Sequence, residues 1–391
     1  MKVFFMSLHR RDFLGLAASS LIASPLQAKP KADWRRDFDA LVADGLATTQ
    51  TPGMSVAIVR GGKTVFAQGY GYADIENARR VTADSVFQIA SVSKTVTATA
   101  MMMQWQEGRF RLDDPVAPLL DFPLRHPKFP DVPVTFRHLF THTSGISDVV
   151  YDDLDFTGQT PPPLRDFLAG YLAPGGHWYS ADKSWSGAKP GSQWSYSNVA
   201  VALLGYLAGR VGPEPLDVFT QKHLFAPLGM HNTAWRYEGI DDSRLALPYK
   251  FAQSHYQRLP RESYPDWPAG LLCSSANDFA KFLRIYTEHG RVDGQTYLKP
   301  ETLRIMLAPD PVVLEPARPD NRQALIWHLI DRNGAHLAGH HGGDAGAATV
   351  AMFDFERHIA VLAFANITPE RKFGPFQNEV TFRLLDRARA A

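Results

Sequence analysis

The chain is 391 residues long, 45% hydrophobic and 21% charged, so it can bury a large core and carries too little charge for disorder. Its formal charge is +1 with acids and bases interspersed, which leaves neither a nucleic-acid footprint nor a polybasic membrane patch. Cys273 is the only cysteine, and that excludes an intramolecular disulfide and any cysteine-based metal cluster.

The N-terminus reads as a targeting segment. Ser7-Leu8-His9-Arg10-Arg11-Asp12-Phe13-Leu14 looks like a twin-arginine signal, followed by an apolar run over 15–23 and small residues ending near Ala28. That run is too short to span a bilayer. Cleavage near Ala28 removes three basic residues and one acidic residue and takes the formal charge from +1 to −1. No cysteine lies near the site, so a lipoprotein is not expected, and the expected destination is the periplasm. Residues 1–28 are thus set aside as a leader, with no stable membrane insertion after its removal.

Trp34, Phe38, Leu41, Val42 and Leu46 recur at helical spacing and predict an amphipathic helix. The segments 54–60 and 63–67, joined by Gly61-Gly62, read as a β-hairpin. Next comes Ser91-Val92-Ser93-Lys94, ahead of an Ala- and Met-rich run over 95–107 that ends at Gly108 and has no proline. This reads as a helix with Ser91 at its N-terminus, where free N–H groups and the dipole favour developing negative charge. A hydroxyl and an amine three residues apart share one helix face. The amine can accept the hydroxyl's proton only where burial or neighbouring charge lowers its pKa.

The stretch 110–300 is mostly helical and rich in proline and glycine. Within it, 152–189 carries Pro161-Pro162-Pro163, Trp178, Tyr179 and Trp185 and reads as a long loop with a short helix near 164–171. Such a loop either shapes a pocket or is a packed surface excursion, and both readings stand. Tyr196-Ser197-Asn198 precedes an apolar helical run over 199–208; an asparagine there is also a good N-cap. In the final quarter, 324–331, 347–355 and 358–364 are β-rich, Gly339-His340-His341-Gly342-Gly343 lies between such segments, and 377–390 is helical. No internal repeat is visible, and no linker-like tract divides the chain.

In this order, Ser-x-x-Lys, Tyr-x-Asn and His/Lys-x-Gly form the three-motif set of the penicillin-recognising serine hydrolases. The chain resembles the class C β-lactamase family and its relatives, the D,D-carboxypeptidases, D-aminopeptidases and β-lactamase-fold esterases. Phe87-Gln88-Ile89-Ala90 ahead of the serine supports this, as does Phe136-Arg137-His138-Leu139-Phe140-Thr141-His142-Thr143-Ser144-Gly145-Ile146, similar to the family's "LLTHTSG". Residues 268–278 are similar to its "AGGLxSTAxD", and the likeness runs over about 35–385.

The resemblance implies an α+β fold, an antiparallel sheet flanked by helices plus an all-helical lobe. The sheet lobe would come from about 33–85 and 300–391, the helical lobe from about 86–299, with the site between them. It implies that Ser91 forms an acyl-enzyme and that Lys94 lies against Ser91 and Tyr196. Lys94 would make the tyrosine a usable base, although a phenol starts near pKa 10. Asn198 would hold Lys94, and an oxyanion hole would use Ser91 with Gly342 and Gly343 on the glycine-rich strand. His340 stands where true β-lactamases have lysine. Histidine is mostly neutral at pH 7, which weakens capture of a substrate carboxylate and favours an esterase or D-peptidase. Asp344-Ala345-Gly346 replaces the family's usual proline before glycine.

The expected partner is therefore a small ester, amide or β-lactam, with no cofactor, no metal and no nucleic acid. A β-lactamase or D,D-carboxypeptidase is the alternative, and a non-catalytic cell-wall binder or sensor the remote one. His138 and His142 could face one metal but sit in the "THTSG" signature and read as structural. His336, His340 and His341 lack a nearby carboxylate pair. There is no Gly-x-Ser-x-Gly elbow, His-Glu-x-x-His motif or phosphate-binding glycine loop. Cys273 reads as a small buried residue.

Overall fold

A computed structural model describes residues 34–156, 160–261, 263–312 and 321–390; the leader expected over 1–28 lies outside them. The first helix, α1 (Trp34–Thr48), buries Phe38, Val42 and Leu46, the stripe anticipated from their spacing. Strands β1 (Gly53–Arg60) and β2 (Lys63–Asp74) form the expected hairpin. Gly61 and Gly62 take φ of +54° and +72°, the left-handed pair that a two-residue primed turn requires. The short β3 (Arg79–Arg80) pairs with β2 at the sheet edge.

Strand β4 (Val86–Gln88) leads into α2 (Ser93–Trp105), and α3 (Phe136–Phe140), α4 (Leu164–Leu172) and α5 (Asn198–Val211) follow. Helices α6 (Leu216–Thr220) and α7 (Ala226–Leu228) continue the lobe, followed by a hairpin of β5 (Tyr249–Ala252) and β6 (His255–Arg258). Strand β7 (Cys273–Ser275) pairs with β4, so two segments far apart in sequence brace the approach to Ser91. Beyond it lie α8 (Ala276–Thr287), a hairpin of β8 (Arg291–Val292) and β9 (Gln295–Thr296), and α9 (Pro300–Met306).

The C-terminal quarter supplies β10 (Asn321–Gln323), β11 (His328–Arg332), β12 (Ala335–Asp344), β13 (Ala347–Asp354), β14 (Ile359–Ala365) and α10 (Phe373–Ala390). Eight strands form one sheet in the order β10-β11-β12-β13-β14-β1-β2-β3. The N-terminal hairpin therefore docks on the last strand, Met54 opposite Ala365 and Arg60 opposite Ile359. Side chains alternate along β1 with the strand's period of two. Val56 and Ile58 pack with α1 and α10 on one face, while Ala57 and Val59 join the larger core on the other.

Two local expectations are corrected. Helix α8 falls within the 86–299 stretch yet packs on the sheet, where Phe279 meets Phe364 at 5.6 Å and Tyr286 stacks on Phe353 at 4.7 Å. Its apolar face resembles any other amphipathic helix, and only tertiary packing decides which layer receives it. Ser197, not Asn198, is the N-cap of α5, its Oγ accepting the Ala200 N–H at 3.0 Å. No helix among the described residues is long and apolar enough to cross a membrane.

Candidate active site

Ser91 sits in a single turn of 3₁₀ helix (Ala90–Val92) that runs directly into α2. Ala90 holds φ at +46°, a conformation costly for a residue with a Cβ and common where a site must be held in shape. The turn is tied on two sides: Ile89 N–H donates to Leu272 O at 2.8 Å, and Thr349 Oγ1 on β13 donates to Ile89 O at 2.7 Å. Lys94, one turn on, is fully buried. Its Nζ donates to Ser91 Oγ at 2.9 Å, Asn198 Oδ1 at 2.7 Å and Ala269 O at 2.6 Å, which uses all three donors of an ammonium.

Tyr196 lies just before α5, and the Lys94 ammonium sits 5.0 Å from its ring centroid. Contact with Lys94 is thus through the ring face. Asn198, the first residue of α5, is set by a residue the sequence reading did not single out. Asp148 accepts from Ser197 Oγ at 2.7 Å, Asn198 N at 2.5 Å and Val199 N at 3.2 Å. Burial raises the Asp148 carboxyl above its ordinary range, with these hydrogen bonds pulling the other way. In sequence it is an ordinary loop aspartate, and nothing local marks it.

His340 reaches the same place from β12. Its ring lies 6.4 Å from that of Tyr196 and 5.1 Å from that of His328. Nδ1 donates to His341 O at 2.6 Å, which leaves Nε2 as an acceptor. Burial first, then His328 and Lys94, push its pKa well below the ordinary imidazole range, so it is a neutral ring. Gly343 lines the cavity with Ser91. Gly342 backs the Ser91 turn: a Cβ there would fall 2.6 Å from Ile89 O and 3.0 Å from Ser91 N.

The cavity over Ser91 measures about 410 Å³. Besides Ser91, Asn198 and Gly343, it is lined by Tyr151, Phe156 and Tyr264 and by four aspartates, Asp152, Asp155, Asp266 and Asp344. Among the described residues that line it there is no lysine or arginine. Asp266 is buried and accepts from Tyr151 Oη at 2.5 Å; burial raises its carboxyl to about 7. Asp344 accepts from Tyr264 Oη at 2.5 Å and Gln88 Nε2 at 3.0 Å. The start of the 152–189 loop borders this cavity, while Trp178 packs inward on Phe167 at 5.7 Å, so the loop does both of the things expected of it.

The remaining candidates resolve structurally. His138 forms a capping box with Thr135 at the start of α3. His142 is buried beneath Tyr196, their ring centroids 4.5 Å apart. His336 pairs with Asp331 at 2.6 Å on the surface, and Cys273 is buried with its thiol pKa raised. Among the described residues no group of three or more His, Cys, Asp or Glu side chains is arranged to hold a metal ion.

A family model described as Beta-lactamase matches residues 38–385. Among curated proteins, the mitochondrial serine beta-lactamase-like protein LACTB of Mus musculus is 26% identical over 77% of this chain and 69% of its own length. Protein flp of Staphylococcus aureus (strain MW2) is 25% identical over 64% of this chain, which spans about half of it (49%). Among solved structures, the octameric penicillin-binding protein homologue from Pyrococcus abyssi superposes with a TM-score of 0.76 at 25% identity, covering 90% of this chain and 77% of its own. The D-amino acid amidase from Ochrobactrum anthropi SV3, solved with L-phenylalanine amide, shares the fold with a TM-score of 0.71 at 22% identity, covering 92% and 99%.

Proposed function

Since this chain belongs to the beta-lactamase family, we propose that it is a serine hydrolase that forms an acyl-enzyme on Ser91 with an ester or a small amide, D-amino acid amides included. The observation that carries this reading is the Lys94 Nζ bridging Ser91 Oγ and Asn198 Oδ1 at the head of α2. Ser91 Oγ attacks the substrate carbonyl, its proton passes to the Tyr196 oxygen acting as the phenolate, and the C–O or C–N bond breaks as that proton moves on to the leaving group, which restores the phenolate. Lys94 supplies positive charge beside the Tyr196 ring. The N–H groups of Ser91 and Gly343 receive the oxyanion, each worth about 3–4 kcal/mol in the barrier. Water then enters by the reverse proton route, attacks the acyl carbon and frees Ser91.

Charge argues for an ester or amine-bearing substrate over a carboxylate. His340 is neutral where true β-lactamases have lysine, and among the described residues the cavity is lined by Asp152, Asp155 and Asp344, with Asp266 only part-ionised near neutrality, and by no lysine or arginine. A β-lactam or stem peptide brings a free carboxylate into that field, which disfavours the β-lactamase or D,D-carboxypeptidase reading. The Ser91, Lys94, Tyr196 and Asn198 set argues against a mere binder, which needs no nucleophile. The same reading has the chain exported to the periplasm by the twin-arginine route, on the strength of Arg10-Arg11 and the apolar run behind them.

Intact-mass spectrometry after exposure to a fluorescent penicillin, a p-nitrophenyl ester and a D-alanyl amide tests the assignment, with Ser91→Ala beside it. Turnover of ester or D-amide that the variant loses is the expected result. A lasting penicillin adduct on Ser91, or fast penicillin hydrolysis, transfers the assignment to the second reading. Equal inertness of both proteins toward all three removes the hydrolase assignment.

A further inference from the structure

The geometry points to His142 as the residue that positions Tyr196, an inference that rests on the hydrolase reading above, with Tyr196 as the proton-transferring phenol. His142 grips the Ser195-Tyr196-Ser197 tripeptide in three places. Its main-chain oxygen accepts the Ser195 N–H at 2.7 Å. Its Nδ1 accepts the Ser197 N–H at 3.2 Å. Its ring stacks on the Tyr196 ring with centroids 4.5 Å apart and planes 29° from parallel. The backbone on both sides of the tyrosine and the aromatic ring itself are thus located by one side chain and its carbonyl.

A ring kept only for packing could as well be phenylalanine. A phenyl ring cannot accept the Ser197 N–H, and the imidazole can only while Nδ1 is unprotonated. Burial keeps the ring in that state: His142 is fully buried, and burial, then Lys94 and His328, hold its pKa well below the ordinary range. Because Nδ1 accepts, the single ring proton sits on Nε2. The backbone at His142 has φ +56°, a left-handed conformation that histidine and asparagine adopt more readily than most residues. Trp194 closes the aromatic group, 6.2 Å from His142 and 6.4 Å from Tyr196, its Nε1 donating to Gln323 Oε1 at 3.1 Å. Asp148, six residues on, holds Ser197, Asn198 and Val199. One loop therefore sets both functional side chains of the Tyr-x-Asn motif, Tyr196 through His142 and Asn198 through Asp148.

The variant that tests this is His142→Asn, because asparagine tolerates the left-handed backbone and its Oδ1 can still accept from residue 197. Only the stacked ring is lost. With p-nitrophenyl acetate and the full chain, we expect kcat to fall about tenfold with KM within about threefold. In a Tyr196→Phe background the same substitution should change kcat by less than about twofold, since a positioning residue has nothing left to position. A tenfold loss repeated in that background, or an unchanged kcat in folded His142→Asn, overturns the inference while leaving the hydrolase reading intact. If Tyr196→Phe alone retains full kcat, the proton route fails and the inference falls with it. Should His142→Asn not fold, histidine-selective 15N NMR of the unaltered protein decides the matter. His142 should stay in the neutral Nε2–H form from about pH 5 to 8, with Lys94, His328, His340 and Tyr196 as the groups facing it. An imidazolium or an Nδ1–H form overturns the inference.

Discussion

Asp266 holds its proton more tightly in the folded chain than in the unfolded one, because burial beneath the cavity raises its carboxyl from 3.8 to about 7. The Tyr151 hydrogen bond and the Lys94 charge favour the carboxylate but do not outweigh burial. Between those two values the folded state binds more protons than the unfolded state, so stability falls as pH rises through the window, and the loss is complete above about 7. Replacing Asp266 by asparagine removes that loss. Urea denaturation at pH 5 and pH 8 should show the stability of Asp266→Asn rising relative to the unaltered chain by about 3 kcal/mol between the two. A difference that does not move with pH means the carboxyl is already ionised in the fold. Asp266 and Asp148 were not legible in the sequence for one reason: a loop aspartate looks solvated, and its burial is decided by segments far along the chain.

Strand β12 owes its place against the Ser91 turn to Gly342, one of three glycines that weaken its sequence signal. Gly342 lets the strand pass against the Ser91 turn; a Cβ there would fall 2.3 Å from Thr349 Oγ1 and 2.6 Å from Ile89 O. Gly342→Ala must therefore push the turn away from the strand. We expect kcat for an ester to drop at least about tenfold, a larger effect than the same change at Gly374, where a Cβ meets open space. Parallel kinetics on both variants check this, and equal losses would contradict it. Glycines lower strand propensity, so it is the family resemblance and not the local pattern that puts the pentapeptide around His340 in a strand. The first hairpin was legible because its turn is local, with Gly61-Gly62 between two β-rich segments. The Ser91–Lys94 pairing was legible too, since a spacing of three on a helix fixes proximity without any tertiary knowledge. The cap of α5 was displaced by one residue, because Ser197 and Asn198 are both good caps and only Asp148 decides between them.

At the scale of the molecule, distant parts of the chain meet at Ser91: the 3₁₀ turn ahead of α2 brings the serine, α2 the lysine, α5 the asparagine, and β12 brings His340 and Gly343. The leader expected at the N-terminus makes its own prediction. With Arg10 and Arg11 both replaced by lysine, cell fractionation should find the chain retained in the cytoplasm of a bacterial host, while the unaltered chain reaches the periplasm. Export of the lysine pair to the same extent would remove the twin-arginine assignment.

The docking of β1 on β14 bears on how the protein is made. A nascent chain emerging from a ribosome exposes β1 and β2 first, yet the partner of β1 is the last strand to be translated. Until then the hairpin has an unpaired edge, and Ser91 lacks the strand that backs its turn. Contacts so distant along the chain close late and slowly. A fragment released before β12 and β14 are made therefore lacks the strands that complete the arrangement around Ser91.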